Sequence, residues 1–129
     1  MDKKKILIVD DDPDLLKAMR VRLRAHRYDT VVAEDSVSAI SQARNENPDL
    51  ILLDLGLPAG DGFVVMERLN NLDSLASIPI IVLSARDPQA NKERALNAGA
   101  KAFFQKPADN DELLAAVETA LEESSRDQV

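Results

Sequence analysis

At 129 residues the chain has the size of one domain, and a composition of 45% hydrophobic and 30% charged residues suits a folded unit that builds its own core. The absence of cysteine excludes a disulfide framework and a thiolate metal site. The net charge of −7 argues against nonspecific attraction to nucleic acid, and no apolar run approaches the ~20 residues of a membrane-spanning helix.

The charged start, Met1 to Lys5, leads directly into a short apolar run. No signal peptide is expected from it, because the apolar stretch and small-residue cleavage site are missing. Together with the lack of cysteine, this makes a cytoplasmic location the expectation.

The first apolar run is Lys5–Asp10 (KILIVD), expected as a strand. Asp12 followed by Pro13 then reads as an N-cap and first helical residue, and Leu15, Met19 and Leu23 recur at helical spacing. Tyr28–Ala33 is the second strand, followed by a helix through Val37, Ile40 and Ala43 capped by Asp35 or Ser36. Asp49–Leu55 (DLILLDL) is the third strand, and Phe63 to Leu69 the third helix. Ile78–Ser84 (IPIIVLS) is the fourth strand. Asp87 and Pro88 open a fourth helix, which Gly99 closes. Ala102–Gln105 (AFFQ) is the weakest strand pattern. Asp109 and Glu112 then form a capping-box variant before a helix whose Leu113, Ala116, Val117, Ala120 and Leu121 share one face. From Glu122 to Val129 the chain turns polar, and fraying is expected there.

Runs one, three and four are nearly continuous in Ile, Leu and Val, as strands buried on both faces are. Strand and helix alternate five times, which implies a parallel sheet with helices on both sides. The expected fold is a flavodoxin-like, doubly wound (βα)5 sandwich with strand order 2-1-3-4-5.

Polar residues gather at the carboxyl ends of the strands, where open α/β sheets bind ligands. Asp10 and Asp11 end the first, Asp54 the third, Ser84 the fourth, and Lys106 follows the fifth. Carboxylates held together repel unless a cation sits among them, and an all-oxygen set favours a hard ion such as Mg²⁺. Lys106 offers a point charge for a phosphate oxygen, and Ser84 a hydroxyl donor. A carboxylate is also a competent nucleophile towards phosphorus. Taken singly, Asp12 serves equally as a helix cap, Ser84 as a strand end and Lys106 as a solvated cation. Asp54 ends an apolar run where an unpaired charge is costly. The joint placement carries the argument.

At these positions the chain resembles the receiver (CheY-like) domains of two-component response regulators. The resemblance covers about Lys3 to Leu121, through ILIVDDD at 6–12, LILLDLGLPAGDG at 50–62, IPIIVLSAR at 78–86 and GAKAFFQKP at 99–107. It implies a receiver unit over 1–123, with 124–129 as a polar tail or the start of a linker. Asp54 would be the phosphoacceptor. Asp11, Asp54 and the backbone carbonyl of Gly56 would hold Mg²⁺ (with Mn²⁺ able to substitute), and Asp10 would act largely through water. Lys106 would pair with Asp54 at rest and with the phosphoryl group afterwards. Ser84 would turn towards the phosphate, Phe103 would occupy the aromatic switch position, and the Lys106–Pro107 bond would be cis. The implied partners are a histidine kinase or histidine phosphotransfer protein, and an output domain or downstream protein reached through the fourth helix, fifth strand and fifth helix. Neither nucleic acid nor membrane is an expected direct partner. The polar fourth helix (Asn91, Lys92, Arg94, Asn97) suits a monomer at rest or a weak, phosphorylation-dependent homodimer.

The chain departs from the family pattern at four places. Phe103 lacks the hydroxyl that many members carry. Gly56 leaves room beside the phosphoryl group, Arg86 is placed to cover it, and Ala108 replaces a frequent phenylalanine.

An enzyme of the haloacid dehalogenase type would need a second aspartate two residues after Asp54, where Gly56 stands. A flavodoxin-like cofactor binder would need a loop rich in Gly, Ser and Thr after the first strand, and that loop is acidic. The remaining alternative is a degenerate receiver that binds partners without phosphorylation. No enzymatic role is expected beyond the chain's own Mg²⁺-dependent phosphorylation and dephosphorylation. His26 reads as a residue ending the first helix rather than a phosphodonor.

Overall fold

The computed structural model describes residues 3–58 and 60–127. Of the expectations above, parts of the charged start (Met1, Asp2), Ala59 in the second motif (50–62), and Gln128 and Val129 of the tail lie outside those residues.

Five strands alternate with five helices: β1 (Lys5–Val9), α1 (Pro13–Ala25), β2 (Asp29–Ala33), α2 (Ser36–Glu46), β3 (Leu50–Leu53), α3 (Gly62–Asn70), β4 (Ile80–Ser84), α4 (Pro88–Asn97), β5 (Ala102–Gln105) and α5 (Asn110–Asp127). All strand pairs are parallel, in the order β2-β1-β3-β4-β5, as the alternation requires.

The three Ile/Leu/Val runs occupy the middle of this sheet. Ile6–Val9, Leu50–Leu53 and Ile80–Leu83 are all buried. Their side chains point alternately to two cores. Leu7, Ile51, Leu53 and Val82 face α2, α3 and the single buried residue of α4, Ala95. Ile6, Ile8, Leu52 and Ile81 face α1 and α5 through Leu16, Met19, Leu23, Leu113 and Val117. β5 lies at an edge and is only half buried, which explains its weak sequence pattern.

Helix starts follow local chemistry. Asp12 accepts hydrogen bonds from the Asp14 and Leu15 amides, with Pro13 at the first helical position. At α2 the cap is Asp35, in a reciprocal box with Ser38, while Ser36 is the first helical residue and fully buried. Asp87 caps α4, and the Glu112 amide donates to Asp109 at the start of α5. Gly99 (φ 110°) follows α4 in the left-handed conformation that ends a helix at little cost. His26 caps the end of α1, its Nδ1 3.0 Å from the Arg22 carbonyl oxygen. The frayed tail expected from Glu122 is helical as far as Asp127. That stretch contains neither glycine nor proline to stop it.

Candidate functional site

Parallel pairing brings three strand ends to one edge. The Asp10 amide donates to the Ala33 carbonyl (3.1 Å), the Asp54 amide to Val9 (2.9 Å), and the Lys106 amide to Ser84 (2.9 Å). Backbone bonds therefore hold Asp10, Asp54 and Lys106 side by side. β1 lies between β2 and β3, so the crevice opens where the chain reverses direction across the sheet.

Asp10, Asp11 and Asp54 each present a carboxylate oxygen, and these lie within 4.8 Å of one another. Asp10 and Asp54 are buried, whereas Asp11 is exposed at the mouth. Asp10 Oδ1 accepts the Asp12 amide at 2.9 Å, and its Oδ2 accepts from Lys106 Nζ at 2.6 Å. Asp54 Oδ1 accepts the Gly56 amide at 3.2 Å, and its Oδ2 lies 3.5 Å from Lys106 Nζ. The expected resting partner of Lys106 was Asp54. Its shorter bond is to Asp10, whose carboxylate is the more deeply buried of the two.

Burial pushes the Asp10 carboxyl above its ordinary 3.8, against the lowering effect of its bonds from Lys106 and the Asp12 amide. For Lys106, burial acts to lower the ordinary 10.5, but the hydrogen bond and charge of Asp10 and the charge of Asp54 outweigh it. The ammonium is thus held above its usual value and stays charged.

One ammonium against three clustered carboxylates leaves an excess of negative charge at the mouth. That is the condition under which a hard divalent cation binds among oxygen ligands. The donor set fits such an ion, with carboxylates from two strand ends. Gly56 is exposed, and a Cβ there would meet nothing within 4 Å, so the flank of Asp54 is open.

Ser84 is buried, and its Oγ accepts the Arg86 amide at 3.2 Å. Arg86 does not lie free over the crevice. Its guanidinium pairs with Asp61 at 3.5 Å and ties the loop after β4 to the start of α3. Asp61 also caps α3 by accepting the Phe63 and Val64 amides. Sequence reasoning had not singled out Asp61, although an aspartate just before an apolar helical run is a cap signature. Phe103 is half buried against the α2–α3–α4 core. The Lys106–Pro107 bond is cis.

A parallel α/β sheet with an acidic, lysine-bearing crevice at its switch point defines a phosphoacceptor domain of the flavodoxin-like class. The chain belongs to the response regulator receiver domain family, whose model it matches over residues 6–118. It is 38% identical over 116 residues to the transcriptional regulatory protein KdpE of Mycobacterium tuberculosis, covering 90% of this chain and 50% of that protein. The chain thus spans about half the length of the curated relatives it matches. Among solved structures it resembles a CheY-like receiver domain protein from Methanospirillum hungatei, with TM-score 0.90 and 28% identity over 98% of this chain and 99% of that one. It also resembles the BeF3-activated N-terminal receiver domain of Klebsiella pneumoniae RstA, with TM-score 0.85 and 31% identity over 92% and 98% of the two chains. Its role is that of a receiver in two-component signalling. Among the described residues, no helix is long and apolar enough to cross a membrane.

Proposed function

We propose that Asp54 is the residue that takes the phosphoryl group, from a phosphohistidine on a kinase or phosphotransfer protein. The observation that carries this is the meeting of Asp10, Asp11 and Asp54 oxygens within 4.8 Å, with Lys106 Nζ on Asp10 and near Asp54.

An Asp54 carboxylate oxygen forms the new P–O bond as the P–N bond to the donor imidazole breaks. The imidazole nitrogen keeps the electron pair and takes a proton. Asp10, Asp11, Asp54 and the Gly56 carbonyl would hold Mg²⁺, or Mn²⁺ in its place, which would neutralise charge on the phosphoryl oxygens. Lys106 reaches the same oxygens by leaving Asp10, to which its short bond now runs.

The dianion formed on Asp54 is a strong acceptor. Ser84 turns its hydroxyl from the Arg86 amide to a phosphoryl oxygen. The loop from Ala85 to Asp87 follows, and Phe103 packs further into the core beside it. α4 is the element best able to respond, since Ala95 is its only buried residue. The surface of α4, β5 and α5 then presents the phosphorylated state to an output domain or downstream protein. The receiver unit is taken as 1–123, working in the cytoplasm and turning over no external substrate beyond its own phosphoryl group. KdpE is a transcriptional regulatory protein, and a transcriptional output is the corresponding reading for any longer protein containing this chain.

The test is the intact mass of the protein after incubation with Mg²⁺ and acetyl phosphate, beside Asp54→Asn. A phosphoryl adduct on the parent alone is the expected result. An adduct of equal yield on Asp54→Asn would remove Asp54 from the role. Absence of any adduct, with a phosphorylated kinase also failing to transfer, would overturn phosphoryl acceptance altogether.

A further inference from the structure

The loop after β4 reaches the start of α3 through one side chain. Arg86 Nη1 lies 3.5 Å from Asp61 Oδ2, and both side chains are about one-third exposed. The other Asp61 oxygen is already committed. Its Oδ1 accepts the Phe63 amide at 3.0 Å and the Val64 amide at 3.3 Å. Asp61 is thus an anion fixed in place, and Arg86 is drawn to it.

Both ends of this pair border the flank of Asp54. Gly62, next to Asp61, packs on the Asp54 backbone: a Cβ there would stand 2.6 Å from the Asp54 carbonyl oxygen. On the other side, the Arg86 amide donates to Ser84 Oγ at 3.2 Å. Gly56 leaves the space beside Asp54 open, since a Cβ there would meet nothing within 4 Å. The long side chain placed to cover that space is Arg86, and its guanidinium is tied to Asp61 instead.

We propose that Asp61 is a positioning residue that shortens the life of the phosphoryl group on Asp54 by holding Arg86 off it, an inference that rests on Asp54 as the acceptor. The phosphoryl dianion and Asp61 compete for one guanidinium. The dianion carries more charge, but Asp61 holds Arg86 before the phosphoryl group arrives and is kept in place by two amides. While Asp61 holds Arg86, water reaches phosphorus through the open flank. The water oxygen bonds to phosphorus as the P–O bond to Asp54 breaks. The carboxylate keeps the electron pair, and the water protons leave on the released phosphate and to solvent. A guanidinium freed from Asp61 pairs with the phosphoryl oxygens through its fork of N–H donors and fills the space that water would cross.

The experiment is a mutant cycle read by phosphoryl lifetime. Asparagine and serine both cap helices, so Asp61→Asn and Asp61→Ser remove the charge and keep the start of α3. They are compared with the parent, with Arg86→Ala and with Asp61→Asn/Arg86→Ala, each shown to be folded by circular dichroism. Each protein is loaded with acetyl phosphate and Mg²⁺, desalted rapidly into Mg²⁺ buffer, and followed by intact mass as the adduct decays. Asp61→Asn and Asp61→Ser should hold the phosphoryl group about two- to fivefold longer than the parent, the range over which a partly exposed ion pair shifts a population. Arg86→Ala should hold it no longer than the parent, and the double variant should match Arg86→Ala. Asp61 variants that decay as fast as the parent would overturn the proposal. So would a double variant that outlives Arg86→Ala, because Asp61 would then act without Arg86, and so would an Arg86→Ala that outlives the parent. In each of these outcomes the adduct forms and the acceptor reading stands; no adduct on any of the proteins, from acetyl phosphate or from a phosphorylated kinase, would overturn both.

Discussion

Gly62, the first residue of α3, lies against the backbone that carries Asp54. A Cβ at this position would sit 2.6 Å from the Asp54 carbonyl oxygen, 2.8 Å from Leu55 Cα and 3.0 Å from Leu55 Cδ2. The first two are main-chain atoms, so no side-chain rotation relieves them. A carbon and a carbonyl oxygen ordinarily approach no closer than about 3.3 Å, so α3 or the end of β3 must shift by about 0.7 Å. The 2.9 Å bond from the Gly62 amide to the Leu55 carbonyl opposes that shift. Overpacking of this kind costs about 2–3 kcal/mol, which for a domain of this size lowers Tm by about 8–12 °C. Gly56 is the control: a Cβ there meets nothing within 4 Å, and Gly56→Ala should change stability by no more than about 0.5 kcal/mol. Thermal melts of both variants by circular dichroism provide the comparison. Phosphoryl uptake from acetyl phosphate, measured well below the melting range, should also fall in Gly62→Ala, because the displaced carbonyl belongs to Asp54. Melting of Gly62→Ala within about 1 °C of the parent would refute the packing argument.

Two further outcomes follow from local structure. Tyr28 is the only tyrosine in the chain. Burial, with Glu118 and Glu122 nearby, holds its phenol above the ordinary 10.0. The fold therefore favours the neutral phenol, and this contribution to stability is complete below pH 10.0 and lost as pH rises through the higher native value. Ultraviolet titration of tyrosinate in the folded protein should give a midpoint above 10.0, moving down in Glu118→Gln; a midpoint at or below 10.0 in the parent would contradict this. Arg27 holds a left-handed conformation (φ 68°) just after α1, a strain glycine does not share. Arg27→Gly should gain about 0.5–1 kcal/mol in urea unfolding, and a loss would show that the arginine makes compensating contacts.

Much of the architecture was readable from residue pattern. ILIV, LILL and IIVL are each too uniformly apolar to have a solvent side, and that alone places β1, β3 and β4 inside a parallel sheet. Asp12–Pro13 and Asp87–Pro88 announced α1 and α4 because a capping carboxylate and a fixed φ act locally. The strand-end positions of Asp10, Asp54 and Ser84 followed from the same pattern, as did the position of Lys106 just past β5. What pattern left open was which neighbour each charge would choose. Lys106 stands between two buried carboxylates, and its preference for Asp10 depends on differences of about an ångström that no spacing encodes. Arg86 likewise found Asp61, about twenty-five positions away in a chain of abundant carboxylates, rather than covering the crevice. The length of α5 was missed because polarity was read as fraying, whereas Glu, Ser, Arg and Asp only decline to pack; they do not forbid a helix.

The five helices all begin on the edge of the sheet where the crevice lies, as βα connections require. A helix start is a natural cradle for phosphate, because free amides and the positive end of the dipole converge there. In this chain each cradle already holds a carboxylate of its own: Asp12, Asp35, Asp61 and Asp87 accept the leading amides of α1 to α4, and Asp109 accepts the Glu112 amide of α5. The positive end of each helix dipole is therefore met first by a carboxylate of the chain itself, so that the attraction for an added phosphoryl group rests on Lys106 and on a cation among Asp10, Asp11 and Asp54 rather than on the helix starts.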